Sequence, residues 1–413
     1  MFALAIASSI SGILNDFVYD DVPMIRDNDR VHHLAKIGTI FSHAYWPPPF
    51  VEQLYRPLTV TLFALEDAAG GGRPIVFRIV SYLLYAISAL LVLRVASRLL
   101  PSRVALGVAI LFAVHPVHVE AVALGVNQAE LLIGIFSSWM VLRYVDARRR
   151  SAALQWSEWA ALSAIYAAAM LTKESGFVLP LLLLAVELFL FASDSAMERA
   201  RGLWRGYACL AAVSCGGLAI RATVLGHPVG AVGTRMLAGL GVGGRMLVML
   251  QVVPTWLRLF AWPAVLSADY ATVDFGPPSF GPLEIFGFAL VCAVLVSIYA
   301  LRRRAPVVSF GLAWCVVGLL PVSNVIPTGI LLAERTLFLP SIGFLIAVGA
   351  AADVVMQRRP APAVRRAIAV GAIGVAAFGV AKSLARNAAW NSAHIKLVPS
   401  AHVELRNRGS SAY

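Results

Sequence analysis

Charge is scarce in this sequence. Only 14% of its 413 residues are charged, with 22 Asp and Glu in all, against roughly 25% in an ordinary soluble domain. Too few polar groups remain to cover a water-exposed surface of this size, which excludes a soluble fold. Cysteine is scarcer still: Cys209, Cys215, Cys292 and Cys315 all fall inside apolar runs. Their spacing matches no zinc site, so they read as small buried hydrophobes. No repeat of solenoid period is present. The first apolar stretch, Phe2–Leu14, lacks the basic segment of a secretory signal, and no clear small-x-small cleavage site follows it. It is expected to remain as a first span, short against the usual ~20 residues.

What is abundant is apolar: 59% of the residues are hydrophobic and the mean hydropathy is +0.78. In hydrocarbon each span must satisfy its own backbone hydrogen bonds, which selects helices. Apolar runs occupy 75–99, 104–114, 129–145, 159–171, 177–192, 207–220, 283–301, 307–320, 336–356 and 367–384. With the N-terminal stretch these predict an all-α polytopic membrane protein of about eleven transmembrane helices. Met246–Trp262 is also apolar, but Pro254 and Pro263 interrupt it, and it is expected to be an interfacial or re-entrant helix.

The net charge of +12 raises the question of a nucleic-acid partner, and its placement answers it. Arginines cluster at 94, 98 and 103, at 148–150, at 199, 201 and 205, at 302–304, and at 358, 359, 365 and 366, each cluster in a short stretch between apolar runs. That is the positive-inside pattern of cytoplasmic loops, so the partner is the bilayer and no nucleic acid is expected. The alternation puts residues 15–74 in a first extracytoplasmic loop, with Arg221, Arg235 and Arg245 also outside. Residues 1–385 form the membrane unit, and 386–413 an extracytoplasmic tail that looks unstructured from Ala401. The high alanine and arginine content is compatible with a bacterial plasma membrane.

On this topology the chemically interesting side chains emerge on one face. Asp20 and Asp21 follow the first span. Tyr55-Arg56-Pro57-Leu58 lies in the same loop, and His115-Pro116-Val117-His118-Val119-Glu120 follows the third span. Lys173-Glu174 follows the fifth. Ser323-Asn324 and Glu334-Arg335 border the turn between the ninth and tenth. Ionisable groups at membrane depth are costly enough to suggest function. Each motif has a plainer reading: the aspartates as a solvated cap, Lys173-Glu174 and Glu334-Arg335 as interfacial ion pairs. His115, His118 and Glu120 do not match a zinc spacing, and Pro116 favours a hydrogen-bonded turn. Their convergence on one face is the signal. A carboxylate can accept the proton of an incoming hydroxyl, while Lys and Arg near the head groups can hold a departing phosphate. Together these suit glycosyl transfer from a polyprenyl-phosphate sugar, with oxocarbenium-like charge at the anomeric carbon.

At these residues the sequence resembles the transmembrane-and-tetratricopeptide (TMTC-type) protein O-mannosyltransferases, of the membrane class C glycosyltransferases. The resemblance rests on Asn15-Asp16-Phe17-Val18-Tyr19-Asp20-Asp21, Tyr55-Arg56-Pro57-Leu58, Phe112–Glu120, Leu171-Thr172-Lys173-Glu174-Ser175-Gly176, Ser323-Asn324 with Ala333–Phe344, and Arg386 with Trp390, in order along the chain. It implies transfer of mannose or a similar sugar from a polyprenyl-phosphate donor to a hydroxyl of a protein or glycan, with inversion, on the extracytoplasmic face. It maps the catalytic acid of the first loop onto Asp20 or Asp21, without choosing between them. Glu120, His115 and His118 would shape the pocket, and Arg335, Lys173 and Arg56 would contact phosphate or acceptor, with Glu174 and Glu334 beside them. Family members carry tetratricopeptide repeats after the membrane region, where this sequence reaches Tyr413. A repeat-bearing partner is therefore one expectation for acceptor recruitment. Whether a divalent metal takes part is left open. Two other classes remain: a flippase or transporter for a lipid-linked sugar, which would carry mid-membrane charges on broken helices and internal repeats, and a non-catalytic scaffold.

Overall fold

The computed structural model describes residues 1–50, 53–151, 153–191, 196–229, 237–268, 270, 275–359 and 361–391, with no side-chain detail for 196–202. Arg235 and the tail from residue 392 onward, including Ala401–Tyr413, lie outside the described residues, as do the side chains of Arg199 and Arg201. The described elements are helical. In order they are α1 (Phe2–Ser9), α2 (Ile37–Ile40), α3 (Pro57–Gly70), α4 (Pro74–Leu99) and α5 (Ser102–Ala113). Then come α6 (Val119–Ala123), α7 (Gln128–Arg150), α8 (Trp156–Thr172), α9 (Leu179–Phe189) and α10 (Ala196–Leu225). The last five are α11 (Val242–Ala261), α12 (Pro282–Leu301), α13 (Pro306–Leu319), α14 (Phe338–Gln357) and α15 (Pro362–Ala389). Proline opens α3, α4, α12, α13 and α15 within their first two positions, where its missing N–H costs nothing and its fixed φ suits the helix.

Among the described residues, five helices are long and apolar enough to cross a membrane: Pro74–Leu99, Leu203–Leu225, Pro282–Leu301, Glu334–Gln357 and Pro362–Ala389. A sixth span results if Ser102–Ala113 and Pro116–Ala123, bent by 46° to each other, are taken together. The expected count of eleven is not reached by this measure, for identifiable reasons. The runs at 2–14 and 307–320 form only short helices. The run at 159–171 sits in a helix of 17 residues, and that at 177–192 is split between a 3-10 turn and an 11-residue helix. The run at 129–145 lies in α7, which also holds Glu130, Arg143, Asp146 and Arg148 to Arg150. α11 continues through Pro254 as one 20-residue helix rather than breaking there, and it is not among the five.

The protein is thus a multi-pass membrane protein, and its surface agrees. Ile285, Phe286, Phe288 and Val296 of α12 are more than half exposed, an apolar face that hydrocarbon tolerates and water does not. Inside, one core joins α4, α5, α7, α8, α9, α13 and α14. A second core beneath the first loop contains Phe17, Val18, Met24, Phe63, Phe77 and, from the chain's far end, Trp390. α15 runs past the expected boundary at residue 385 to Ala389 and is tied to the first loop: Asn15 Nδ2 donates to the Asn387 carbonyl at 2.8 Å, and Ser11 Oγ to the Leu384 carbonyl at 2.6 Å.

α13 and α14 pack backbone to backbone. A Cβ at Gly311 would lie 2.6 Å from the Ala347 nitrogen and 2.7 Å from the Gly343 carbonyl oxygen. Helix propensity alone favours Gly311→Ala by about 1 kcal/mol, whereas the contact predicts a net loss of roughly 1–3 kcal/mol through overpacking. A melting curve of the variant in detergent decides the sign, and a raised Tm would show that this interface can yield.

Candidate active site

The two aspartates of the first loop have different surroundings. Tyr19, just before them, has φ +55°, a left-handed conformation uncommon for a side chain of its size. Asp21 is fully buried. Its Oδ1 accepts the Val126 N–H at 2.8 Å, and its Oδ2 accepts the Gly125 N–H and Arg78 Nη2, each at 3.1 Å. Arg78, near the start of α4, also donates to the Asp16 carbonyl at 2.9 Å. A buried carboxylate paired and bonded this fully is an anchor, since removing either charge strands the other. Gly125 permits the approach, because a Cβ there would meet Ile25 Cδ1 at 2.9 Å.

Asp20 is only half-buried, and its carboxyl makes no hydrogen bond among the described residues. Burial raises it to about 6, against the pull of Arg335, with Asp21 and Glu120 adding to the rise and Arg56 opposing it. Asp20 therefore sits within electrostatic reach of two guanidiniums without being bonded to either.

Those guanidiniums are held by other carboxylates. Glu120, on α6, accepts the Arg335 backbone N–H at 2.8 Å through Oε2 and its guanidinium through Oε1. Arg56, at the cap of α3, lies 2.7 Å through Nη2 from Glu174 Oε2 and donates to it from Nε at 2.9 Å, and its guanidinium packs 4.8 Å from the Tyr45 ring centre. Glu174 also accepts Arg221 Nη1 at 3.1 Å. Burial works to raise Glu174, but Arg56 and then Arg221 outweigh it and hold it at about 2. Lys173 pairs with Glu130 of α7; burial pulls its ammonium down, and both Arg56 and Arg335 are near enough to contribute. One end of the bundle thus gathers Asp20, Arg56, Glu120, Lys173, Glu174 and Arg335.

Other expected site residues serve the framework. His118 is buried, with Nδ1 against the Phe112 carbonyl and Tyr85 hydroxyl and Nε2 2.8 Å from Ser341 Oγ. His115 Nε2 lies 3.0 Å from the Phe260 carbonyl, and its Nδ1 accepts the Val117 N–H. Both imidazoles therefore have their ring nitrogens occupied by the fold and hold the bent turn between α5 and α6. Glu334 is also buried; its Oε1 accepts the Ser267 N–H at 2.6 Å and the Tyr270 hydroxyl at 2.7 Å, and Arg386 lies 4.0 Å from Oε2. Asn324 Oδ1 accepts the Thr328 N–H and its amide donates to the Ile330 carbonyl, closing a turn. Among the described residues no three His, Cys, Asp or Glu side chains come together as metal ligands.

Sequence reasoning missed Arg78, Glu130 and Arg221. Each is a charge inside or beside an apolar run, visible in principle, but their partners lie 57, 43 and 47 residues away.

Residues 61–217 match the family model for dolichyl-phosphate-mannose-protein mannosyltransferase. Protein O-mannosyl-transferase TMTC3 of Mus musculus is 26% identical, over 80% of this chain and 39% of its own length. Protein O-mannosyl-transferase TMTC4 of Homo sapiens is 26% identical, over 91% of this chain and 58% of its own. Over most of its length the chain is thus similar to TMTC-type protein O-mannosyl-transferases, at modest identity. Its similarity to Drosophila melanogaster Tmtc1 is higher, 34%, but over 44% of this chain. The chain spans about two to three fifths of the length of the TMTC3 and TMTC4 relatives. In fold it is similar to the archaeal oligosaccharyltransferase AglB from Archaeoglobus fulgidus, solved with an inhibitory peptide and a dolichol-phosphate: TM-score 0.52 at 14% identity, over 93% of this chain and 55% of that one.

Two stability predictions follow from these pairs. Arg78→Met leaves Asp21 buried without its cation and is expected to cost about 3–5 kcal/mol, with the Arg78→Met/Asp21→Asn double variant recovering part. Equal melting of the single variant and the wild type would remove the anchoring role. Glu174, depressed from 4.5 to about 2, stabilises the fold above pH 4.5, and that contribution fades as pH falls through its folded value. The stability gap between wild type and Glu174→Gln should therefore be constant above pH 4.5 and close toward pH 2 in acid titrations.

Proposed function

We propose that the chain transfers a sugar, mannose by its family, from a polyprenyl-phosphate donor to a hydroxyl acceptor at the extracytoplasmic membrane boundary, with inversion. The observation that carries the proposal is Asp20: a half-buried carboxyl with no hydrogen bond among the described residues, within electrostatic reach of two guanidiniums. The family-model match and the AglB-like fold support a lipid-phosphate donor, since AglB was solved in complex with an inhibitory peptide and a dolichol-phosphate.

Asp20 is the base. It takes the proton of the acceptor hydroxyl as that oxygen bonds to the anomeric carbon and the bond from that carbon to the phosphate oxygen breaks. The electron pair leaves with the lipid phosphate, whose charge Arg56, Lys173 and Arg335 stabilise. These cations are already oriented by Glu174, Glu130 and Glu120, so little side-chain ordering remains when a donor enters. Asp21 is the positioning residue: through Arg78 and the amides of Gly125 and Val126 it holds the loop that presents Asp20. His115 and His118 act behind the site by fixing the turn from which Glu120 projects.

In a reconstituted assay with labelled polyprenyl-phosphate mannose, Asp20→Asn should lower kcat by about 10²- to 10⁴-fold, the usual contribution of a general base, with melting unchanged. Asp21→Asn should lower both activity and Tm. Because the base form of Asp20 predominates above about pH 6, kcat/KM should fall tenfold per pH unit below that value, and the limb should vanish in Asp20→Asn. Full transfer by Asp20→Asn would end the assignment; lipid translocation without any transfer by the wild type would favour a flippase.

A further inference from the structure

The opposite end of the bundle contains a cavity that the transfer chemistry does not use. Its volume is about 220 Å³, and its lining includes Arg98, Leu99, Val145, Arg149, Phe191 and Pro306. These residues come from the C-terminal ends of α4 and α7, the segment just after α9, and the start of α13. Along α4, Arg98 lies 20 residues beyond Arg78, or ~30 Å at 1.5 Å per residue, which is the thickness of a hydrocarbon core. The cavity therefore sits at the other membrane interface, the one marked as cytoplasmic by the arginine clusters.

Its composition is amphiphilic, with hydrocarbon walls and a cationic rim. Among the described residues the rim charges are not all neutralised. Arg98 is pinned by Asp146, Nε to Oδ1 at 2.6 Å and Nη2 to Oδ2 at 3.1 Å, which fixes its plane and leaves Nη1 outside that fork. Arg149 donates to the Arg98 carbonyl and has no acidic partner among the described residues. Behind the cavity the charges are closed off. Arg148 is buried against Glu187, which also accepts the Tyr144 hydroxyl at 2.8 Å, and Arg148 packs 4.9 Å from the Phe191 ring centre. Among the described residues the arrangement is a back wall holding the Arg148–Glu187 pair, with Arg149 unmatched by a carboxylate and the guanidinium of Arg98 held in a fixed plane at the mouth.

We infer that this cavity is a binding site for the phosphodiester headgroup of an anionic membrane phospholipid, with Arg149 and Arg98 on the phosphate and an acyl chain along the apolar wall. Charge complementarity selects an anion over a zwitterion, and the interfacial depth and apolar lining select a lipid over a soluble phosphate. The site is independent of the transferase reading and stands whether or not the chain transfers sugar.

The test uses the full chain purified in detergent, with phosphatidylglycerol or phosphatidylcholine added and bound lipid measured by native mass spectrometry. The expected result is one tightly held phosphatidylglycerol, with affinity about fivefold lower in Arg149→Gln, as for loss of one interfacial cation. Arg149→Lys should keep part of it. Arg303→Gln, an exposed arginine outside the cavity lining, should match wild type. Equal retention by Arg149→Gln and wild type overturns the site, as does equal uptake of phosphatidylcholine. Displacement of the lipid by millimolar inorganic phosphate would assign the guanidiniums to a soluble anion and overturn the lipid reading.

Discussion

A carboxylate sealed inside a membrane protein is stable only with a cation and hydrogen-bond donors around it, and the Asp21–Arg78 contact meets that demand. It takes one arginine from inside an apolar helix, one aspartate from a loop, and two backbone amides from the turn before α7. Together with the Arg56–Glu174 pair farther along, it fixes the register of the first loop over the bundle. Because Asp20 is covalently next to Asp21, the geometry of the half-buried carboxyl is inherited from the fully buried one. Specialisation follows from environment: two identical side chains, adjacent in sequence, are given different tasks by what surrounds them.

The cations of the site obey a related constraint. At membrane depth an unpaired guanidinium or ammonium is costly, so Arg56, Lys173 and Arg335 each carry a resident carboxylate. Among the described residues Glu174 serves both Arg56 and Arg221, leaving a positive excess at that end, and Asp20 supplies an opposing charge with no hydrogen bond to its carboxyl. The resting site is near neutrality while remaining strongly polarised, which accords with the proposed entry of an anionic lipid head and a neutral hydroxyl together.

Much of this was legible in the sequence, and what was not has physical causes. Composition alone settled the membrane environment, and Asp20, Arg56, Glu120, Lys173, Glu174 and Arg335 do gather at one end of the bundle. The number of spans was harder to read, because an apolar run such as 177–192 says nothing of the 3-10 turn that shortens its helix. Periodicity registers what a segment buries, not where its axis bends. The division of labour between Asp20 and Asp21 was unreadable for a different reason: it depends on Arg78 and on amides about a hundred residues distant. The resemblance implied that His115 and His118 shape the pocket, yet the carbonyls of Phe260 and Phe112 and the hydroxyl of Ser341 occupy their rings.

The last described helix shares hydrogen bonds with the strand of chain leading to Asp20, and Trp390 is wedged into the same small core as Phe17 and Val18. Entry and exit of the polypeptide are thereby mechanically coupled. Displacement of the backbone at Asn387 or Trp390 would therefore bear on residues 11–18, the segment that leads into Asp20, as well as on the turn at Val114 that accepts Ser383 Oγ.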